Sequence, residues 1–571
     1  MHKKAINTIR KRTVLKRKYH DPLIEPDQIF LDAKNLPEFD TQQFEGQLEQ
    51  PISRGSMLGV GIVFLLIVVL FTSRLWNLQI AHSATYLKMS KNNSLNSEPI
   101  FSARGTISDR NGVPLAWNDT ATEQYPWGKR TYIAEPGFSH VLGYVGYPAK
   151  DKAGNYWQTE IIGRDGAEKK FNDALSGNNG STIVERDIAG KVQGGNIVNP
   201  PVAGENLTLA IDSRLQTKLQ QFLASATHAE QFRSASGIVM DIYTGEIIAL
   251  TNVPEYDSNI MSSGSDRATI AGYLQNKNTP LMDRAVSGLF TPGSDVKPYI
   301  GLEALQEGVI DQWTKIESNN SISIPNPYFP DKPSVFRDYY ANNGWVDIRH
   351  ALEVSSNIYF MEIAGGYKNQ KGIGIDNVQK AWLRFGITQK TGVDLPLENT
   401  GTIPGPEWKA QKFPGEVWRL GDTYNTSIGQ YGVQVTPIQM ARAVAGIATR
   451  GTLVVPHILK GEPVVETKIT DVDDVHYTAI QEGMRLAAIH GTTPDVTPVP
   501  FTLATKSGTA QVGPGGKNVN SWMTGFFPYE HPHYAFVIML ENGPAPAIGT
   551  AHRVTRQFLG WVGTNAPEYG E

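Results

Sequence analysis

Residues 289–308 read LFTPGSDVKPYIGLEALQEG. Pro292-Gly293 makes a turn and an apolar-periodic run follows, which predicts a helix over Ser294–Glu307 with Ser294 at its head and Lys297 one turn on, on the same face. This is the chain's only S-x-x-K. About two such matches are expected by chance in a chain this long, so the motif needs support from elsewhere. A serine hydroxyl is a poor nucleophile until an adjacent base takes its proton. Lysine can do that only when neutral, and moving its pKa from about 10.4 to near 7 costs roughly 4–5 kcal/mol of desolvation and neighbouring positive charge. A serine N-cap beside a solvated lysine has the same pattern. Asp295 lies between the two, and a carboxylate facing Lys297 would raise its pKa, the wrong direction for a base. Adjacent helical positions point to different faces, and an acid in the first turn suits the helix dipole, so Asp295 is expected to face away from Lys297.

Two further clusters lie downstream. VDIRHALEVSSNIYFMEIAGG (346–366) sets Ser355-Ser356-Asn357 between two apolar helical runs, where polar side chains are either caps or groups facing a cleft. ATKSGTAQV (504–512) puts Lys506, Ser507, Gly508 and Thr509 on a strand. A glycine inside a strand marks either the close approach of another backbone or ligand, or a bulge.

The flanks frame these clusters. LTLAIDSRLQTKLQQFLASA reads as a strand leading into an amphipathic helix, and SGIVMDIYTGEIIALTNVP as two strands joined at Tyr243-Thr244-Gly245. FTLATKSGTAQV, SWMTGFFPY and YAFVIMLENG read as three strands, and HRVTRQFLGWVG as a closing helix. Helical patterns fill the middle, at Ser294–Glu307, Val346–Val354 and Pro437–Thr449. Two strands at the start, three at the end and helices between predict an α+β domain over residues 202–571, an antiparallel sheet with a helical insertion.

Residues 76–201 read as a small β-rich pedestal with a turn at Asn111-Gly112, a short helix over Glu168–Leu175 and no evident catalytic cluster. Before it, GSMLGVGIVFLLIVVLFTS gives 19 uncharged residues between Arg54 and Arg74. As a helix these span roughly 28 Å, close to the hydrocarbon thickness of a bilayer. Residues 55–75 are therefore expected to be an uncleaved transmembrane anchor. Lys3, Lys4, Arg10, Lys11, Arg12, Lys16, Arg17 and Lys18 place the amino end in the cytoplasm by the positive-inside rule. Residues 1–54 read as a largely disordered tail. The formal charge of −4 gives no support for nucleic-acid binding, and with no cysteine there is neither a disulfide nor a thiolate centre. His-rich ligand spacing is absent as well, so neither a metal nor an organic cofactor is expected.

Taken together, the ordered motifs resemble the class B penicillin-binding proteins, of the serine acyltransferase group that includes the serine β-lactamases. S-x-x-K, S-x-N and K-[ST]-G are matched in order by Ser294–Lys297, Ser355–Asn357 and Lys506–Gly508. The likeness extends through RGTISDRNGVPLA, HVLGYVG, LAIDSRLQ, GEIIALTNVPEYDSN, TGVDLPLENTGTIP, VTPIQMARA, KSGTAQV and SWMTGFFP, over about residues 55 to 565. It implies a penicillin-binding/β-lactamase-like fold on a dimerisation-type pedestal, held in the bacterial inner membrane. It also implies that Ser294 is acylated by the penultimate D-alanine of a peptidoglycan stem peptide, with Lys297 as general base and Ser355 relaying a proton to the leaving amine. Asn357 would hold Lys297 and the substrate amide. Lys506 would supply positive potential, Ser507 and Thr509 would bind the substrate carboxylate beside Gly508, and the backbone N–H groups of Ser294 and Thr509 would form the oxyanion hole. β-Lactams would inhibit by acylating Ser294. Within the family the chain looks most like the elongation type, with the septal type as nearest competitor. The resemblance implies a SEDS-family glycosyltransferase and other elongation-complex membrane proteins as partners. Transfer to water, as in a D,D-carboxypeptidase or β-lactamase, stays open, as do a non-catalytic polymerase-activating scaffold and a β-lactam sensor. Asp295 replaces a small hydroxyl residue, and SIGQYG interrupts the family's usual G-Q-G.

Overall fold

A strand that is apolar at nearly every position has to be covered on both sides, and YAFVIML is such a strand. It forms the middle of a five-stranded antiparallel sheet whose order in space is Ile247–Val253, Ser234–Asp241, Tyr534–Pro544, Asn518–Phe527, Ala504–Val512. Ile538 and Leu540 point to one face and pack with Leu215, Leu219, Leu223, Phe558, Leu559 and Val562 from the helices Ser213–Ala229 and Thr550–Asn565. Val537 and Met539 point to the other face, into a core shared with Ile438, Met440 and Val444 of the helix Pro437–Ala448. Each such side chain contributes about 1.5–3 kcal/mol on burial, which makes this strand the hub of the layered core. The two early strands and three late ones thus meet as expected, because the last strand pairs with the first.

The computed structural model of the chain describes residues 54–84, 95–152, 154–186, 192–326 and 329–570. The expected tail lies outside the described residues up to 53. By contacts the chain divides into residues 1–92 and residues 93–571. In the first unit a helix runs over Arg54–Trp76 and continues as a wider turn of π-helix over Asn77–Ala81, with no buried residue. These 28 residues from Arg54 to Ala81 exceed the roughly 20 needed to cross a bilayer.

In the second unit, one four-stranded sheet has the order Leu207–Thr208, Ile107–Ser108, Pro114–Asn118, Arg130–Tyr132, so that a strand beyond residue 201 pairs with those before it. Gly112 turns the second of these into the third with φ 85°. A further sheet joins Leu95–Ile100, Gly180–Arg186 and Val192–Asn199. The helix expected over Glu168–Leu175 is two short ones, Gly166–Lys170 and Asn172–Ser176. Glu168 is buried between Arg104 (2.5 Å) and Arg130 (2.7 Å).

The middle of the chain is not all helical. Ile316–Ile324 and Ser334–Val346 form an antiparallel hairpin, and the helix expected to begin at Val346 begins at Ile348, capped by Asp347. Asn320, at φ 59°, sits where the register shifts between Asn319 and Ser321. The extra residues lie on the returning strand, where Asn342 back to Arg337 stands against Asn319 to Ser321, and cross-strand pairing overrides the weak local pattern.

Candidate active site

The turn that carries Ser294 is built by close backbone contacts. Gly293–Val296 is a turn of 3-10 helix, and the α-helix starts at Lys297. Residues three apart eclipse one another in that geometry, which puts Ser294 and Lys297 on one line. Trp522 Nε1 donates to the Thr291 carbonyl at 2.9 Å, and Gly293 N–H donates to the Gly429 carbonyl at 3.1 Å. Gly508 explains itself here: a Cβ on it would lie 2.5 Å from the Pro292 carbonyl oxygen and 2.9 Å from Trp522 Cβ. The strand register is unbroken through Gly508, so this glycine marks close approach and not a bulge.

Ser355-Ser356-Asn357 realises both roles open to it. Ser356 caps the helix Asn357–Gly365, accepting from Tyr359 N–H at 3.0 Å. Ser355 and Asn357 face the cleft. Ser355 has φ 56°, a left-handed conformation costing a non-glycine residue about 1–2 kcal/mol.

Two lysines, both buried, converge on Ser355. The Lys297 amine donates to the Ser355 carbonyl (2.6 Å), Ser355 Oγ (3.3 Å) and Asn357 Oδ1 (2.8 Å). The Lys506 amine donates to Ser355 Oγ at 2.9 Å and to the Ser507 carbonyl at 2.8 Å. Among the described residues the Lys297 amine hydrogen-bonds Ser355 and Asn357 and not Ser294. Burial, and then the Lys506 charge, push its pKa well below the ordinary lysine range, with Asp338 opposing. Burial lowers Lys506 to about 8. Desolvation and a neighbouring cation are the two causes a lysine base requires.

Asp295 is buried, and no hydrogen bond joins it to Lys297 among the described residues. The Asp295 Cγ lies 3.0 Å from the Cβ position of Gly508, and neither carboxylate oxygen has a hydrogen-bond partner among the described residues. Burial raises its pKa well above the carboxylate range, against the pull of Lys506.

An open cleft of about 790 Å³ collects Ser294, Ser355, Asn357, Ser507 and Thr509. Ser507 Oγ donates to Thr492 Oγ1 at 3.0 Å. On the cleft's other wall stand Arg337, Asp338 and Tyr339 of the hairpin, with Gln430 and Tyr431 from SIGQYG. The hairpin residues were missed with the hairpin. Tyr431, at φ 57°, is the extra residue of that interrupted motif.

This constellation, a serine at a helix head with two buried lysines on one neighbouring hydroxyl, has the parts that serine acyl transfer requires. Residues 235–560, more than half of the chain, match the family profile of the penicillin-binding protein transpeptidase domain, and residues 126–209 match that of the penicillin-binding protein dimerisation domain. The chain belongs to the penicillin-binding protein transpeptidase family. Among curated relatives, the peptidoglycan D,D-transpeptidase MrdA of Escherichia coli K12 is 29% identical, over 88% of this chain and 93% of its own length. MrdA of Acinetobacter baumannii is 30% identical over 87% and 86%. Among solved structures, penicillin-binding protein PBP2 of Helicobacter pylori, in a complex with MreC, superposes with TM-score 0.68 at 25% identity, over 82% of this chain and 99% of that one.

Proposed function

We propose that this chain is a membrane-anchored peptidoglycan D,D-transpeptidase of the elongation type. The observation that carries the reading is the pair of buried lysine amines meeting at Ser355 in the cleft that Ser294 also lines. A neutral Lys297 takes the proton from Ser294 Oγ as that oxygen attacks the carbonyl carbon of the penultimate D-alanine. Backbone N–H groups of Ser294 and Thr509 receive the oxyanion where charge develops. As the C–N bond breaks, Ser355 passes a proton to the leaving nitrogen of the terminal D-alanine and is resupplied by the lysines. The acyl-enzyme ester is then attacked by the amine of a neighbouring stem peptide, whose proton returns through the same groups while Ser294 Oγ leaves. Ser507 and Thr509 hydroxyls, backed by the Lys506 charge, hold the donor's terminal carboxylate, and Asn357 orients the donor amide.

The apolar helix Arg54–Ala81 supports an inner-membrane anchor, with the tail in the cytoplasm and residues 76–571 outside as pedestal and transpeptidase domain. The MrdA relatives and the MreC-bound PBP2 support an elongation complex, in which a SEDS-family glycosyltransferase supplies the glycan strand.

Labelling the full-length protein with a fluorescent penicillin and mapping the adducted peptide tests the reading. A slowly released adduct on the peptide carrying Ser294, lost in Ser294→Ala, is the expected result. An adduct elsewhere removes the assigned nucleophile, and rapid turnover of the adduct identifies a hydrolase instead.

A further inference from the structure

Ser355 is held in a backbone conformation that serine rarely adopts, with φ 56°. It is also the residue on which both lysine amines converge, so what restrains it matters to the chemistry. Part of the restraint is local, through the Ser355 N–H to the Leu352 carbonyl at 3.3 Å and the Ser356 N–H to the Ala351 carbonyl at 2.9 Å, and part comes from the hairpin. Asp338, on the returning strand of the hairpin, accepts from the Asn357 N–H through Oδ1 at 2.7 Å. Its Oδ2 accepts from Ser356 Oγ at 2.8 Å, from Ser318 Oγ at 2.6 Å and from Asn343 Nδ2 at 3.3 Å. Ser318 and Ser356 are fully buried with their Oγ atoms 2.8 Å apart, and each hydroxyl has one proton, to give either to Oδ2 or to its neighbour. Asn357 Nδ2 adds a bond to the Arg337 carbonyl at 3.3 Å. A carboxylate can accept about four such bonds, and this one is close to saturated by groups from the hairpin and from the S-x-N segment.

We propose that Asp338 is a positioning residue: its carboxylate clamps the Ser355-Ser356-Asn357 segment to the hairpin, holding Ser355 Oγ and Asn357 Oδ1 on the lysine amines. The proposal rests on the acyl-transfer reading and deepens it. The negative charge lies at the first N–H of the nine-residue helix Asn357–Gly365, where the helix dipole favours it. The same charge acts on Lys297. The charged groups bearing on that amine are Lys506 from the sheet edge and Asp338 from the hairpin, with opposite signs, while Asp295 bears on Lys506. Clamp and charge are therefore separable. Loss of the clamp slows acylation, and loss of the charge lets Lys297 shed its proton at lower pH.

The test is single-turnover acylation of the full-length detergent-solubilised protein by a fluorescent penicillin across pH, with the thermal midpoint recorded for each variant. Asp338→Ala is expected to lower the acylation rate constant about 100-fold, the scale of a 1 Å misplacement, with pre-covalent binding little changed. Asp338→Asn keeps an acceptor for the Asn357 N–H but turns a donor toward Ser318 and Ser356. It is expected to retain more of the rate than Asp338→Ala and to move the acid limb of the rate profile to lower pH. Ser318→Ala removes one arm without a charge, so a smaller loss and an unmoved limb are expected. A role in stability alone would lower the thermal midpoint of Asp338→Asn and leave its limb where it is, and that result overturns the proposal. So does a folded Asp338→Ala with an unchanged rate constant, or one whose loss lies wholly in pre-covalent binding, which makes Asp338 a ligand contact. If the unaltered protein forms no penicillin adduct, the acyl-transfer reading itself fails, an outcome distinct from these.

Discussion

At the scale of single residues, function turns on which of two buried lysines holds a proton. In the proposed mechanism Lys297 must be neutral to accept from Ser294, and Lys506 must be charged to attract a carboxylate. Lys297 is depressed by burial and by Lys506 itself, so its neutral fraction grows as pH rises through a pKa below the ordinary lysine range. Lys506 is lowered to about 8, so its charge fades above that point. Acylation by penicillin is therefore expected to follow a bell, rising through the Lys297 ionisation and falling near pH 8. A profile that climbs without a downturn into the range of free lysine would show that Lys506 charge is not required. Ser294, Lys297 and Lys506 could be singled out in the sequence because the proposed chemistry dictates their type. Asp338 was not, since an acid in a surface-like stretch carries no local mark of the segment it will hold.

At the scale of elements, the decisive contacts are between backbones. The strand bearing Lys506 approaches the nucleophile turn so closely that only glycine fits at 508. Gly508→Ala is expected to separate strand from turn, costing about 1–3 kcal/mol by overpacking and slowing acylation about 100-fold. Differential scanning calorimetry and stopped-flow labelling read the two effects, and a variant acylating at the normal rate would refute the close-approach account. The sheet strands and the helices at Lys297–Gln306 and Pro437–Ala448 could be read because burial leaves apolar runs of strand or helix length in the sequence. The hairpin could not. Of its first strand only Ile316, Ser318 and Ile322 are buried, and one of these is polar, so the alternation carries too weak an apolar signal to be recognised.

At the scale of the whole molecule, the anchor helix sets where the catalytic domain works. If the amino end is cytoplasmic, protease added outside spheroplasts should digest the chain beyond Ala81 while an epitope at residue 1 survives until the membrane is lysed. Loss of the epitope in intact spheroplasts would reverse the orientation. What the sequence determined by itself was the class of chemistry, the segments that supply it and the order in which they come, because nucleophile, base and strand glycine are demands on residue type and spacing. The tertiary structure alone decided that Lys297 and Lys506 share one hydroxyl, that Asp295 turns inward, and that a hairpin carboxylate holds the loop between them. These depend on groups brought together from distant parts of the chain, and a one-dimensional pattern records the local preference of each residue but not the partner that folding gives it.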